Sequence, residues 1–116
     1  MNKRKVGDEY EIMARNYLEK QGIKILKKNY RNRFGEIDLI GSDGKTLIFF
    51  EVKYRKNKTA GYAEEAVGIK KQHMICRISD FYRLEHRIYD TTPVRYDVIA
   101  VNESEIRWIQ NAFPYI

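Results

Sequence analysis

Apolar residues recur at helical spacing between residues 5 and 21, where Val6, Tyr10, Met13, Ala14, Tyr17 and Leu18 share one side of a helix and Gly22 supplies a stop. Residues 23–31 follow with alternating Ile23 and Ile25 and a shifted Tyr30, the pattern of a first strand. Two β-rich runs, GEIDLIG and TLIFFEVKYR, flank Asp43-Gly44, a dipeptide that favours the positive φ values of a two-residue hairpin turn. Beyond a polar loop at 56–62, Ala66, Val67, Met74, Ile75, Ile78, Phe81 and Tyr82 predict a long second helix over 63–86. Pro93 opens a further strand, VRYDVIAV, and a charged turn at 102–105 leads to a short last strand around 106–109. The order is α-β-β-β-α-β-β. The strand-helix-strand passage after Tyr54 permits a parallel crossover, so an α/β fold with a mixed sheet flanked by helices is expected.

Composition sets the scale. The 116 residues, 43% of them apolar, suit a single domain over 1–116 with one modest core. Twenty-two Lys and Arg against sixteen Asp and Glu leave a net charge of +6, which favours a polyanionic partner. Cys76 lies in an apolar helical stretch and reads as a small core residue rather than a nucleophile. His73 and His86 have no neighbours at metal-ligand spacing. No apolar run approaches the roughly 20 residues that span a bilayer, and MNKRK is followed by charged residues rather than a signal core, so no membrane association and a cytoplasmic location are expected.

The candidate chemistry lies on the central hairpin. Alternation puts Glu36 and Asp38 on one strand face and Ile37 and Leu39 on the other; in the next strand Glu51 and Lys53 oppose Phe50 and Val52. A two-residue turn pairs Ser42 with Lys45, which sets Glu36 opposite Glu51 and Asp38 diagonal to it. Crowded carboxylates repel unless cations compensate them, and hard oxygen donors suit magnesium or manganese. Ordinary cross-strand ion pairs, Glu36 with Lys53 or Glu51 with Lys45, account for the same charges. Leu47 and Phe49, on the charged face, argue for a partly covered cleft.

The string GEIDLIG, followed at hairpin distance by FFEVKYR, resembles the D…ExK signature of the restriction-endonuclease-like, or PD-(D/E)XK, nucleases. Over nearly its whole length the chain is similar to the bacterial YraN family of endonuclease-like proteins: Gly7, Glu11 and Ala14, NYR at 29–31, GEIDLI at 35–40, EVKYR at 51–55, EAV at 65–67, Lys71-Gln72, RYDVI at 95–99 and a terminal NAF carry the likeness. Tyr54 stands where that family often has Thr, a departure expected to be harmless. The resemblance implies a restriction-endonuclease-like core in which Asp38 and Glu51, with Glu36 beside them, hold the metal and Lys53 orients water or stabilises phosphate charge. Glu11 would be an auxiliary acid, as in similar Holliday-junction resolvases, or a plain surface residue. Lys71 and Gln72 would contact phosphate or merely solvate a helix. Arg31, Arg33, Arg55, Lys56 and Lys58 would flank the cleft and meet the nucleic-acid backbone.

These readings point to metal-dependent hydrolysis of DNA, with structured or branched DNA ahead of a specific duplex sequence. Symmetric cutting of a junction needs two sites, which a homodimer would supply. The alternatives are a non-catalytic nucleic-acid-binding module that keeps the nuclease fold, and a structural interaction protein, which leaves the acidic strand face unexplained.

Overall fold

Helix α1 (Lys3–Lys20) buries Ala14 and Leu18 and turns its polar side to solvent. Its end is a Schellman closure: Gly22, at φ +92°, lets Ile23 N–H reach Leu18 O and Gly22 N–H reach Glu19 O, and Ile23 itself is buried. The chain then runs through β1 (Lys24–Asn32), β2 (Gly35–Ser42) and β3 (Leu47–Tyr54), crosses by α2 (Ile69–Glu85) to β4 (Val94–Val101), and returns as β5 (Ile106–Phe113). The computed structural model describes residues 3–55 and 67–116, with the side chains of α1 from Gly7 onward.

The sheet has the order β1-β2-β3-β4-β5, antiparallel except for the parallel pair β3–β4 joined through α2. This is the mixed sheet and the α-β-β-β-α-β-β order that the pattern implies. Each face carries one helix. Ala14 and Leu18 of α1 pack on Leu39, Ile48, Phe50, Ile99 and Val101; Ile75, Ile78 and Tyr82 of α2 pack on Ile37, Ile40, Phe49, Tyr96 and Val98 on the other side. β3 and β4 are therefore sandwiched, which is why they read as almost continuous apolar runs. Cys76 is buried in the α2 layer, as a small core residue would be. Where β1 starts, its backbone comes so close to β2 that a Cβ on Gly41 would lie 2.7 Å from Ile23 Cγ2 and 3.0 Å from Lys24 O, so this position has room only for hydrogen.

Four expectations need correction. The hairpin does not close on a two-residue turn: Ser42 faces Leu47, and the 43–46 loop is held by the Asp43 carboxylate, which accepts Lys45 and Thr46 N–H at 2.9 and 2.7 Å. An Asx-type loop thus outcompetes the tight turn. The helix over 63–86 begins only at Ile69, after Gly68 in extended conformation, and Val67 enters the core from outside it; the part of that reading at 63–66 lies outside the described residues. The last strand is longer than expected, because a bulge between Tyr96 and Val98, with Asn111 at φ +54°, lets polar QNAF continue the ladder. Finally, Ile37 and Leu39 do not share a face: Ile37 packs in the α2 layer and Leu39 in the α1 layer. The break in alternation sits at Asp38, opposite Asn29, whose φ of +52° departs from strand geometry.

Candidate functional site

The β2–β3 ladder pairs Leu39 with Phe50 and stops there. Continued by one step, this register sets Asp38 directly opposite Glu51, not diagonal to it as a two-residue turn would. The cause of the break is visible: Val52 N–H donates to Asp38 Oδ2 at 2.8 Å, so a side chain takes the donor that a strand partner would otherwise use. β2 and β3 diverge around two carboxylates, and the α1 and α2 layers close over them from either side. Glu51 is buried, with only 6% of its surface exposed, beneath the start of α2. Phe49 and Leu47, on its strand face, are buried in the core beneath α2.

Asp38 feels the crowding most. Burial, then the negative charge of Glu51, and further the charges of Glu11 and Glu36, raise its carboxyl to about 7, with the Val52 N–H acting in the lowering direction. Glu11, from the α1 side, is also raised, first by burial and then by Glu36. Asn29 ties these acids together: with its amide nitrogen turned inward it donates to Glu36 Oε1 at 3.0 Å and Glu11 Oε1 at 2.8 Å. Asn29 belongs to the NYR string that carries the family likeness, but a lone Asn in a basic strand gives no sign of this bridging role. Its left-handed backbone, which Asn tolerates better than most residues, is what aims it.

The raised carboxyl has a consequence for stability. In the unfolded chain Asp38 ionises near its ordinary value of 3.8, and in the fold at about 7. Ionisation is therefore opposed by the fold, and stability is lost as pH rises from about 4 to 7, by on the order of a few kcal/mol. Asp38→Asn keeps an acceptor for Val52 N–H but has no charge to bury. In metal-free buffer it should melt several degrees above wild type at pH 8 and close to it at pH 4; melting curves displaced equally at both pH values would show that Asp38 carries no such burden.

Cations compensate part of the charge. Lys71 of α2 bonds Glu51 Oε1 at 2.5 Å, and Arg31 reaches Glu36 Oε1 at 3.2 Å. Lys53 is half-buried two residues beyond Glu51 on β3, on the same side by strand alternation. Gln72 lies close by in sequence but serves the turn into α2, donating to Val67 O at 2.7 Å. Arg33 lies over the Phe34 ring at the β1–β2 turn, and Arg55 follows β3 with its backbone N–H bonded to Val101 O. Lys56 and Lys58 lie outside the described residues. Tyr54, the departure from the resembled pattern, has a definite place: its ring stacks on Tyr10 of α1 at 4.1 Å and so fastens the end of β3 to that helix. Among the described residues no three acidic, Cys or His side chains converge into a ready-made cation cage. What converges is one facing carboxylate pair, Asp38 and Glu51, which is the usual protein share of a magnesium shell otherwise filled by water.

A second buried acid lies in the neighbouring strand. Asp97 is wholly buried and accepts from Arg95 Nε and Nη2 at 2.9 and 3.0 Å, from Trp108 Nε1 at 2.8 Å and from Asn111 N–H at 2.8 Å. With its oxygens filled by four donors, it ties β4 to β5 and has no capacity left for a ligand. No helix among the described residues is long and apolar enough to cross a membrane.

Comparison with known proteins places this geometry in a wide bacterial group. The family model described as uncharacterised protein family UPF0102 matches residues 10–101, a span that holds all the residues of the acidic centre. A UPF0102 protein of Lachnoclostridium phytofermentans is 46% identical over 97% of this chain and 96% of its own length. One of Vibrio parahaemolyticus is 42% identical over 96% and 93%, and the UPF0102 protein YraN of Escherichia coli O17:K52:H18 is 37% identical over 95% and 85%.

Proposed function

The chain belongs to the uncharacterised protein family UPF0102, and from that premise and the geometry of its acidic centre we propose that it is a metal-dependent endonuclease acting on DNA. The observation that carries the reading is the facing of Asp38 and Glu51 across the point where the β2–β3 ladder opens, with Lys53 two residues further along. These two carboxylates fit a hard divalent cation, because they are desolvated, adjacent and mutually repulsive, and Asp38 keeps an oxygen beyond the one that takes Val52 N–H. Bound there, magnesium or manganese would supply positive charge to a phosphodiester and lower the pKa of a coordinated water.

The chain's own groups do the rest. The Lys53 ammonium sets positive charge where the phosphate becomes more negative in the transition state. Lys71 holds one Glu51 oxygen and so orients that carboxylate. Glu11 and Glu36, bridged by Asn29, form an acidic rim beside Asp38, whose carboxyl is raised first by burial and by Glu51 and further by these two; a bound cation would favour its ionised form. Arg31, Arg33 and Arg55 meet the DNA backbone, and Lys56 and Lys58, next in the sequence, add basic charge. A homodimer would furnish the second site for symmetric cleavage of a branched substrate.

The Lys71–Glu51 ion pair favours a second reading, in which a lysine stands where a metal would and the chain binds nucleic acid without cutting it. One experiment separates the two. Purified protein is incubated with duplex, single-stranded, flap and four-way-junction DNA in magnesium or manganese, and manganese binding is followed by calorimetry. The nuclease reading expects cleavage of at least one substrate, and loss of both cleavage and manganese binding in Asp38→Ala and Glu51→Ala. Retention of DNA without cleavage or metal uptake supports the second reading.

A further inference from the structure

Phe34 and Phe81 are large apolar side chains left 48% and 44% exposed, yet they are not scattered: their rings stack at 5.5 Å and 25°, one from the β1–β2 turn and the other from α2. The Arg33 guanidinium carbon lies 4.9 Å from the Phe34 centroid. An exposed aromatic pair with a guanidinium on it is a surface of flat faces, and such faces accept nucleic-acid bases of any identity.

Its position gives the surface a purpose. Phe34 precedes Asp38 by four residues, about 13 Å at the rise of a strand, which places it within reach of a short unpaired segment that has a phosphate at the acidic centre. Beside it, β1 presents exposed Lys24, Lys27, Lys28 and Arg31 along the edge of the sheet. A groove of about 310 Å³ lined by Lys27, Asn29, Tyr30, Arg31, Glu85 and His86 continues that edge toward the end of α2. Backbone charge is thus met along β1 and a base is met at its end. A paired base, already stacked on both sides within a duplex, has no free face to offer.

We propose that Phe34, Phe81 and Arg33 form a stacking platform for an unpaired base, so that the protein engages DNA carrying a single-stranded segment next to the acidic centre in preference to continuous duplex. This rests on the nucleic-acid reading above and names the substrate class for it.

Fluorescence anisotropy with a labelled oligothymidine and a labelled blunt-ended duplex of two complementary strands, both in EDTA, tests the idea without requiring cleavage. Phe34→Ala should weaken oligothymidine binding roughly tenfold and duplex binding by less than about twofold, while Phe34→Tyr stays near wild type. Both side chains are surface residues, and matching melting curves confirm that the variants fold. Equal oligothymidine affinity for Phe34→Ala and wild type would overturn the platform and leave the nuclease reading standing. Loss of self-association in Phe34→Ala with unchanged oligothymidine affinity would overturn it in favour of a protein contact. Absence of binding to either DNA by wild type, both in EDTA and in calcium, would overturn the nucleic-acid reading itself.

Discussion

Lys53→Ala should lower the rate of DNA cleavage by roughly a hundredfold or more, while weakening DNA binding only as far as one lost surface charge would. The distinction follows from where charge changes. In the ground state the phosphodiester carries one negative charge, which on the proposed reading surface arginines and the solvent would already meet. As water adds, further charge develops on the phosphoryl oxygens, and a cation positioned beside the carboxylate pair is worth most at that moment. Single-turnover rates with saturating protein isolate this step from binding. Lys53 shares β3 with Glu51, so melting curves accompany the kinetics, and Lys53→Arg serves as the charge-preserving control. If folded Lys53→Ala cleaves as fast as wild type, the lysine has no part in the reaction. If it binds DNA less well by the same factor as it loses rate, it contributes uniform binding instead.

Asp97→Ala should be the most destabilising single change, at about 3–5 kcal/mol, because it removes one partner of a buried ion pair and strands the others. Arg95 would keep a guanidinium 21% exposed with no counter-charge, and Trp108 Nε1–H and Asn111 N–H would lose their acceptor inside the sheet. The bulge that lets β5 continue past Val98 to Tyr96 contains that last bond. A fall in melting temperature of roughly ten degrees or more is expected, with Asp97→Asn intermediate because it retains an acceptor but not the charge. Manganese binding per folded molecule should be unchanged, since Asp97 lies one strand over from the facing pair and its oxygens are occupied. Unaltered melting would show that the knot is not what joins β4 to β5.

Much of this architecture is legible from the chain alone, for identifiable reasons. The α1 stripe, the Gly22 stop, the apolar runs of β3 and β4 and the Pro93 boundary are local signals, set by residues within a few positions of each other, and the element order with its mixed sheet follows from them. The residue types at the candidate site were legible as well: Asp38, Glu51 and Lys53 interrupt strands whose other positions are apolar, and such interruptions stand out against a period of two.

What tertiary structure alone decided is how those residues meet. Register depends on which loop closes the hairpin, and the Asp43 carboxylate, by bonding Lys45 and Thr46 N–H, chose the longer loop and moved Asp38 to face Glu51. The bond from Val52 to Asp38, the bridge of Asn29 between Glu11 and Glu36, and the reach of Lys71 to Glu51 join residues distant in sequence. Side chains on different elements leave no periodic trace of their contacts, so only the packing of α1 and α2 on opposite faces of the sheet brings those acids and cations to one opening between β2 and β3.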